Sequence, residues 1–323
     1  MSKRGRSPPS QWYNAARDAR RVVAAARAGC QIGKRGRRPA SVDGPKGGCA
    51  AKRGSNNKTP AGHAVATIFI EVCAGRRSRV GASAKRCGAA VVRIVEPRDG
   101  EIVPAPEVVS GRAVNWPLNV NLEHERSRLA GFVRDQALRT NDLSRIVLLT
   151  SPKCTPFSAI QGLNRKRRLH SVIREERKSG MFVLYCMRQL HQIVRKHAKP
   201  GSYLLMHEQP RRAKAPKARH DMFDYTNQEW PWAVRKGAPA SATVYGCAVG
   251  LRLRPYKSST RVLSSKAWVF EVEGSPALLE LLRNFQCSGD HEHVVCQGTP
   301  LTRASENYPP MLGCLIAESV CNS

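Results

Sequence analysis

The apolar run Ile146-Val147-Leu148-Leu149 leads into the turn Ser151-Pro152-Lys153-Cys154-Thr155-Pro156-Phe157-Ser158 near the middle of the chain. A short apolar run that stops at prolines is typical of a buried β-strand. Open α/β sheets bind ligands at the carboxyl ends of such strands, so a thiol placed there could attack a bound substrate. The same pattern also suits a small buried cysteine in a tight turn. The stretch therefore predicts a strand and makes Cys154 a candidate nucleophile.

A second apolar segment, residues 203–207, ends in Glu208, and an amphipathic helix is predicted before it. Apolar residues recur at helical spacing between residues 182 and 197, which favours a β-α-β unit with parallel strands. Parallel strands present their carboxyl ends at one edge of a sheet, so Glu208 could face the same cleft as Cys154 and transfer protons there. A glutamate that is merely solvated or paired is the other interpretation.

Two further strands are predicted upstream, one from residue 66 that turns at Gly75 and one over residues 89–96. Glu71, Cys73 and Gly75 lie where the first strand turns, and Glu96 ends the second. A glycine turn lets the backbone approach a nucleotide-type cofactor, and an acid at the next strand's end can accept hydrogen bonds from ribose hydroxyls. A glycine that only closes a strand-to-helix turn would look the same.

Taken in order, these segments resemble those of the DNA (cytosine-5) methyltransferases. The matching residues are Cys73-Ala74-Gly75, the turn over residues 152–158 with Gln161 and Asn164 behind it, and His207-Glu208-Gln209-Pro210. The stretch from Ile68 to about Ala317 is more closely similar to methyltransferase-like domains of retroelement polyproteins and related proteins of dinoflagellates and other protists. Gly246-Cys247-Ala248-Val249-Gly250-Leu251 and a C-terminal Cys/His cluster also match.

The resemblance implies a Rossmann-like sheet of the S-adenosylmethionine-dependent methyltransferase type, with a nucleic acid as substrate. DNA is the substrate that the family favours, and RNA stays open as the alternative. It implies that the Cys154 thiolate adds to carbon 6 of a flipped-out cytosine while Glu208 protonates ring nitrogen 3. The chain departs from the family at Lys153, where a second proline is usual, and after Gly75, where arginines replace further glycines. These departures keep a non-catalytic descendant of the family open as an alternative. The cofactor-binding residues that the resemblance implies are Glu71, Cys73, Gly75 and Glu96.

The composition is strongly basic, with 54 Lys and Arg against 24 Asp and Glu and a formal net charge of +30. Such an excess favours a polyanionic partner, most simply nucleic acid, bound through its backbone with little sequence preference. Two basic clusters follow the candidate site segments and would surround the cleft with phosphate-binding charge. Solubility charge on exposed loops is the other interpretation. The cluster residues are Arg165, Lys166, Arg167, Arg168, Arg211 and Arg212.

Residues 1–62 form a very basic stretch whose acids are Asp18 and Asp43 alone. Too little apolar surface is available there to offset the entropy of ordering, so the stretch is predicted to be a disordered arm. It suits a nucleic-acid-binding arm, a nuclear-targeting tract or a solvated tail. The sequence has neither an apolar signal segment nor an apolar run of membrane-spanning length. It therefore predicts an intracellular protein that does not enter a membrane, with a nuclear location as one option.

The cysteines suggest a metal site. The chain has 11 cysteines and no secretory signal segment, which favours reduced thiols over a disulfide framework. Two cysteines and two histidines within residues 287–296 make a mixed sulfur and nitrogen set that suits tetrahedral zinc; ordinary buried cysteines beside a surface histidine pair are the alternative. The predicted ligands are Cys287, His291, His293 and Cys296. Three other histidines are predicted to be solvated: His170, His191 and His197.

The whole pattern predicts an α/β fold in three parts: a disordered basic arm over residues 1–62, a Rossmann-like methyltransferase-like domain over 63–240, and a smaller C-terminal β/α region over 241–323. The C-terminal region is predicted to hold strands at 243–245 and 267–272, a helix from Ser275 and a last helix over 305–319. Two functions remain open. One is a nucleic-acid (cytosine-5) methyltransferase-like protein of a mobile element that uses S-adenosylmethionine. The other is a non-catalytic basic nucleic-acid-binding protein with a structural zinc site.

Overall fold

The computed structural model describes residues 66–140, 144–152, 169–210, 240–255, 258–296, 301, 305 and 307–321. The predicted basic arm over residues 1–62 lies outside these ranges. Residues Ala66–Ser323 belong to one structural unit. Within the described ranges, no helix is both long and apolar enough to cross a membrane.

The described ranges contain nine strands and five helices. The strands are β1 (Ala66–Val72), β2 (Ala90–Val95), β3 (Ala113–Pro117), β4 (Ser144–Thr150), β5 (Tyr203–Pro210), β6 (Ala240–Tyr245), β7 (Arg252–Leu253), β8 (Val262–Leu263) and β9 (Ala267–Glu273). The helices are α1 (Arg79–Arg86), α2 (Glu123–Leu138), α3 (His170–His197), α4 (Pro276–Arg283) and α5 (Pro310–Cys321).

Seven of the strands form one mixed sheet in the order β3-β2-β1-β4-β5-β9-β6. The first five in this order are parallel, while β9 runs antiparallel to both β5 and β6. The chain moves outward from β1 to β3 and then returns to the other side of β1, so the strand order reverses between β1 and β4. Open α/β sheets bind ligands at such a switch point, outside the carboxyl ends of the strands. The predicted α/β class is confirmed.

Helices α2 and α3 cover one face of the sheet. Their apolar stripes pack on alternate residues of the central strands, because successive strand residues point to opposite faces. Each fully buried aliphatic or aromatic side chain stabilises the fold by about 1.5–3 kcal/mol relative to exposure. The core residues on this face include Ile70, Leu129, Val133, Leu148, Leu184, Met187, Leu190 and Leu205.

Helix α1 lies against the other face, where it packs on β2 and on the C-terminal helix α5. The contact between α1 and α5 is close, since a Cβ placed on Gly313 would come within 3.2 Å of the Arg79 carbonyl carbon. Helix α4 packs on β6 and β9. The C-terminal helix is therefore fixed on the first helix of the fold, and the residues just before it return to the carboxyl edge of the sheet.

The C-terminal helices begin at prolines. Ser275 caps α4 by accepting a hydrogen bond from Leu278 N at 3.2 Å, with Pro276 in the first turn, which confirms the predicted helix start. The last helix begins at Pro310 and not at Ser305. Proline lacks an N–H group and is favoured in a first helical turn, so it sets the start of α5 five residues after the predicted start.

Helix α3 begins at His170, well before its predicted start at residue 182. Its first three turns are mostly polar, and the buried residues there are Ile173 and Met181. The apolar pattern over these turns is therefore too weak to predict a helix. The second half of α3 shows the predicted helical spacing of apolar residues.

The strands predicted at 243–245 and 267–272 are confirmed as β6 and β9, and they pair in antiparallel orientation. Both extend the sheet that contains β1 to β5. The predicted C-terminal region thus contributes two strands to the same sheet as the predicted methyltransferase-like domain.

A buried ion pair lies beneath the first turn of α1. Glu71 Oε2 is 3.3 Å from Arg93 Nε, and both side chains are almost fully buried. Ser78, the N-cap residue of α1, donates through its hydroxyl to Glu71 Oε1 at 2.6 Å. Burial raises the pKa of Glu71, and the hydroxyl of Ser78 and the charge of Arg93 oppose that rise. Only a glycine fits above the pair, because a Cβ at Gly81 would press on Glu71 Oε2 and lie 2.8 Å from Arg93 Nε.

Substitution of this glycine should destabilise the protein. We expect Gly81→Ala to lower the free energy of unfolding by about 1–3 kcal/mol, since the added methyl group overpacks the ion pair. Gly131→Ala is the matched control, because Gly131 lies inside α2 and a Cβ there meets no described atom within 4 Å. That change should stabilise the protein by about 0.5–1 kcal/mol. Urea unfolding followed by circular dichroism measures both, and equal stabilisation by the two changes would contradict the close approach of α1 to the ion pair.

Candidate functional site

The turn after β1 lies at the switch point of the sheet. Cys73 has φ of 62°, a left-handed backbone conformation that costs a residue with a side chain about 1–3 kcal/mol. Gly75 O accepts a hydrogen bond from Ser78 N at 3.0 Å as α1 begins. A Cβ at Gly75 would meet no described heavy atom within 4 Å, so space is open beside the turn. Strained turns of this kind cluster at ligand-binding sites, and the open space is compatible with one.

Two of the residues predicted to bind a cofactor differ sharply in position. Glu71 is only 2% exposed, and its carboxyl contacts Ser78 and Arg93 inside the protein. Its described contacts therefore anchor α1. Glu96 follows β2 at the carboxyl edge and is exposed. The residues of the predicted set at this edge are Cys73, Gly75 and Glu96.

The arginines after Gly75 bind other protein groups. Arg76 forms a two-point pair with Glu101, through Nη1 to Oε1 at 3.0 Å and through Nη2 to Oε2. The hydrogen bond from Arg76 lowers the pKa of Glu101. Arg79 Nη1 donates to the carbonyl oxygen of Tyr308 at 3.2 Å. These arginines tie the turn after β1 to the loop after β2 and to the C-terminal segment.

Glu208 lies near the end of β5 and is buried, at 7% exposed. Tyr308 Oη donates to Glu208 Oε2 at 2.9 Å and lies 3.1 Å from Ser151 Oγ. Burial raises the pKa of Glu208 above the ordinary glutamate value, and Lys266, Tyr308 and Ser151 oppose the rise. Such a carboxyl can keep its proton at a pH where exposed glutamates have lost theirs, which suits a proton donor.

The strand that leads to the candidate nucleophile runs beside Glu208. Parallel pairing aligns Thr150, at the end of β4, with His207 in β5. Ser151 directly follows β4 and contacts Tyr308, the hydrogen-bond partner of Glu208. Cys154 itself lies outside the described residues. So do the predicted phosphate-binding residues Arg165, Lys166, Arg167, Arg168, Arg211 and Arg212.

On the opposite face of the sheet, two histidines share one threonine hydroxyl. Thr150 Oγ1 lies 2.9 Å from His207 Nδ1 and 3.2 Å from His191 Nε2. Burial lowers the pKa of His191 to about 3 and that of His207 well below its usual value, so both rings are neutral at ordinary pH. The prediction that His191 is solvated is wrong, because it lies on the stripe of α3 that packs on the sheet. His170 is exposed, as predicted.

A Cys2His2 group joins the turn after β6 to the segment after α4. One ligand atom from each of Cys247, Cys287, His291 and His293 lies within 4.8 Å of the others. Cys287 Sγ is 3.5 Å from His293 Nε2 and 3.9 Å from His291 Nε2. Cys247 is buried and the other three side chains are partly buried. Two sulfurs and two imidazoles are a ligand set of tetrahedral transition-metal sites, so the group could hold a metal ion.

A carboxylate orients one of the two histidines. His291 Nδ1 lies 2.8 Å from Asp290 Oδ1, which also accepts a hydrogen bond from Ser288 Oγ. Metal-binding histidines usually donate their other N–H to such a partner, which fixes the tautomer and frees the opposite nitrogen. Here the freed nitrogen is His291 Nε2, the atom that faces Cys287. The hydrogen bonding therefore matches the needs of a metal ligand.

The structure corrects the predicted ligand set by placing Cys247 where Cys296 was expected. Cys296 Sγ lies 3.1 Å from Ser305 Oγ and 3.6 Å from Leu301 O. Cys247 reaches the group from the turn after β6, which Leu251 N closes by donating to Gly246 O at 2.7 Å. Local spacing could not reveal this pairing, because it depends on how β6 and α4 meet in the folded chain.

Sequence reasoning missed two further residues at the carboxyl edge, Tyr308 and Lys266. Tyr308 precedes Pro309-Pro310, and a tyrosine before two prolines carries no local sign of where its hydroxyl lies. Lys266 directly precedes β9, and in so basic a chain nothing in the sequence distinguishes it from the other lysines. Cys247 did carry a signal, since it falls in the Gly246-to-Leu251 stretch that matches the resemblance.

Comparison with known proteins adds no assignment. No family model matches the chain, and neither a curated protein nor a solved structure matches it. A function for this chain is therefore inferred from the residues at its sites and from their positions.

Metal-binding measurements distinguish Cys247 from Cys296 as the fourth ligand. Cys247→Ser removes one of four ligands, and Cys296→Ser is the matched control on the same segment of the fold. We expect Cys247→Ser to weaken metal binding by more than about 100-fold, because loss of an outer hydrogen-bond partner alone typically costs 10–100-fold. Cys296→Ser should bind as the wild type does. Titration of metal-free protein with Co²⁺, followed by thiolate-to-cobalt absorption, measures both; the reverse order would restore Cys296 to the ligand set.

Proposed function

We propose that this chain is a nucleic-acid (cytosine-5) methyltransferase-like protein in which Cys154 is the nucleophile and Glu208 the proton donor. The observation that carries the proposal is the position of Glu208, a buried carboxyl on β5 beside the end of β4. In the sequence, Pro152, Lys153 and Cys154 follow that end within four residues. A nucleophile and a proton donor must reach the same ring for this chemistry, and neighbouring parallel strands bring such residues to one edge.

The strand order supports the same proposal. The order β3-β2-β1-β4-β5 is that of a doubly wound, Rossmann-like sheet with one switch point. A dinucleotide-binding sheet would continue with a sixth parallel strand next to β5. Here the antiparallel β9 takes that position, so the sheet departs from the dinucleotide-binding pattern at this edge.

Cys73, Gly75 and Glu96 fit a nucleotide-type cofactor such as S-adenosylmethionine. No described heavy atom lies within 4 Å of a Cβ placed on Gly75. The exposed Glu96 stands at the end of β2, where a carboxylate can accept hydrogen bonds from ribose hydroxyls. Glu71 does not fit this role, because Ser78 and Arg93 already use its carboxyl. When bound, S-adenosylmethionine would supply the electrophilic methyl group.

The roles of Cys154 and Glu208 follow from the movement of electrons in the cytosine ring. Addition of the Cys154 thiolate to carbon 6 forms a sulfur–carbon bond, and transfer of the Glu208 proton to nitrogen 3 neutralises the ring. The ring is then an enamine whose carbon 5 is nucleophilic enough to take a methyl group. Loss of the carbon 5 proton to a base restores the double bond, releases the thiolate and lets Glu208 regain its proton. The cytosine must be flipped out or single-stranded, because a thiolate cannot reach a stacked ring.

We infer that the metal of the Cys2His2 group is structural zinc. Two thiolates and two imidazoles complete a tetrahedral shell with no open position, which suits a structural role better than a catalytic one. Cys247 belongs to the turn after β6, and the other three ligands belong to the segment after α4. Zinc would therefore hold that segment against the sheet.

A second function has its own support in the net charge of +30. A basic protein could bind nucleic acid through phosphates and use the cleft only to hold strands, without catalysis. Lys153, where the family has a second proline, favours this alternative. Binding of the cofactor distinguishes the two, because a strand-binding protein has no use for S-adenosylmethionine.

A covalent adduct tests the proposed chemistry. Wild-type protein with S-adenosylmethionine should form a stable adduct with DNA that contains 5-fluorocytosine, because fluorine prevents the loss of the carbon 5 proton that releases the enzyme. Cys154→Ser should form none, while Cys87→Ser, which alters an exposed cysteine, should keep it. Glu208→Gln should slow adduct formation by about 10²–10⁴-fold, the usual contribution of a proton donor. Denaturing electrophoresis detects the adduct, and an adduct that survives Cys154→Ser would show that another residue is the nucleophile.

Calorimetric titration with S-adenosylmethionine tests the cofactor site. Glu96→Ala should weaken binding by about 10–100-fold, because a hydrogen bond to a charged group contributes about 1.5–3 kcal/mol. Glu107→Ala, which alters an exposed acid in the loop after β2, should bind as the wild type does. Absence of binding by the wild-type chain would reject the methyltransferase function and favour the strand-binding alternative.

A further inference from the structure

The hydroxyl of Tyr308 connects the ends of the two strands on which the proposed reaction depends. Tyr308 Oη donates its single proton to Glu208 Oε2 at 2.9 Å. The Ser151 hydroxyl lies 3.1 Å from Tyr308 Oη and also acts on Glu208 as a hydrogen-bond partner. Ser151 directly follows β4 and Glu208 belongs to β5, so a chain of hydrogen bonds from Ser151 through Tyr308 to Glu208 spans both strands.

Tyr308 is itself fixed by contacts that do not involve its hydroxyl. Its ring meets Trp268 edge-on, with centroids 5.7 Å apart, and lies 5.9 Å from the Phe270 centroid. Its carbonyl oxygen accepts from Arg79 at 3.2 Å. Helix α5 begins at Pro310 and packs on α1. The position of the hydroxyl is therefore set by packing, before any substrate binds.

The chain before Tyr308 is tied down by Lys266. Lys266 Nζ donates to Ser305 O at 2.8 Å and lies 5.3 Å from the centroid of the Trp268 ring. The positive charge of Lys266 also lowers the pKa of Glu208. The charges of Glu208 and Glu71 raise the pKa of Tyr308. Among the described residues, the side chains that oppose the rise of the Glu208 pKa are thus Lys266, Tyr308 and Ser151, all outside β5.

We propose that Tyr308 is a positioning residue for Glu208, holding Oε2 as a hydrogen-bond acceptor so that the transferable proton resides on Oε1. The inference rests on the proposed function, since positioning matters only if Glu208 gives its proton to a substrate. A protonated carboxyl has one hydroxyl oxygen and one carbonyl oxygen, and the carbonyl oxygen is the better acceptor. Without the tyrosine hydroxyl, the carboxyl could rotate and either oxygen could carry the proton.

Tyr308→Phe tests this role, because it keeps the ring that packs on Trp268 and removes only the hydroxyl. Tyr203→Phe is the matched control, because it removes a tyrosine hydroxyl that donates to a different glutamate. Tyr203 is the first residue of β5, the strand that carries Glu208, and its Oη donates to Glu273 Oε1 at 3.2 Å. Thermal unfolding of the full-length variants shows whether each one folds, so that a purely structural loss is recognised.

The first readout is the protonation state of Glu208 as a function of pH, measured by infrared difference spectroscopy. The carboxyl band of Glu208 is identified as the band that is lost in Glu208→Gln. A hydrogen bond donated to a carboxylate favours the ionised form, so its removal raises the pKa of Glu208. The titration midpoint should therefore move up by about one pH unit in Tyr308→Phe. It should not move in Tyr203→Phe.

The second readout is the pH profile of adduct formation with 5-fluorocytosine DNA. A proton donor must be protonated, so the rate falls as the pH rises through the pKa of Glu208. In Tyr308→Phe this fall should shift to higher pH, while the plateau rate drops about 10-fold because the carboxyl is no longer oriented. The affinity for DNA should not change.

The outcomes separate the two proposals. An unmoved Glu208 midpoint in a folded Tyr308→Phe protein would overturn the positioning role, whatever the activity. A shifted midpoint in a protein whose wild type forms no adduct would reject the methyltransferase function and leave the control of Glu208 by Tyr308 standing. A shifted midpoint with a slower plateau in Tyr308→Phe alone would support both.

Discussion

The buried ion pair between Glu71 and Arg93 is the constraint on which the carboxyl edge of this sheet depends. It joins β1 to β2, and Ser78 uses the same carboxyl to fix the start of α1. Removing one partner of a buried pair typically costs about 3–5 kcal/mol, because the other charge is left uncompensated. With α1 held in place, α5 packs against it at Gly313, and the chain before α5 returns to the sheet edge.

Two buried glutamates on the same face of the sheet consequently have different chemistry. Glu71 accepts a hydrogen bond from Ser78 and faces the guanidinium of Arg93, and both oppose the rise of its pKa on burial. Glu208 accepts a hydrogen bond from the neutral hydroxyl of Tyr308, and the charge of Lys266 is the main effect that opposes the rise of its pKa on burial. The partner, rather than the depth of burial, makes one carboxyl an anchor and the other a candidate proton donor.

The region between α4 and α5 is stabilised differently from the sheet. Its described residues form little regular secondary structure, and they attach to the sheet through side chains and through backbone hydrogen bonds such as the one from Tyr245 N to Phe285 O at 3.0 Å. The Cys2His2 group fixes one end to the turn after β6, and Cys296 contacts Ser305 at the other. Lys266 then holds Ser305, and Tyr308 meets Glu208. A metal in this group would therefore brace the segment that reaches the candidate site.

The sequence by itself determined the α/β class, the central strands and the cap of α4, because apolar periodicity, prolines and capping residues act over a few neighbouring positions. It also indicated Glu208 at a strand end and three of the four residues of the Cys2His2 group. Only the tertiary structure decided that Glu71 faces Arg93 in the core, that His191 is buried and that Tyr308 meets Glu208. It also decided that Cys247, not Cys296, completes the Cys2His2 group. These contacts join residues far apart in the chain, and they follow from the order of strands in the sheet and from the packing of α5 on α1, which no local pattern encodes.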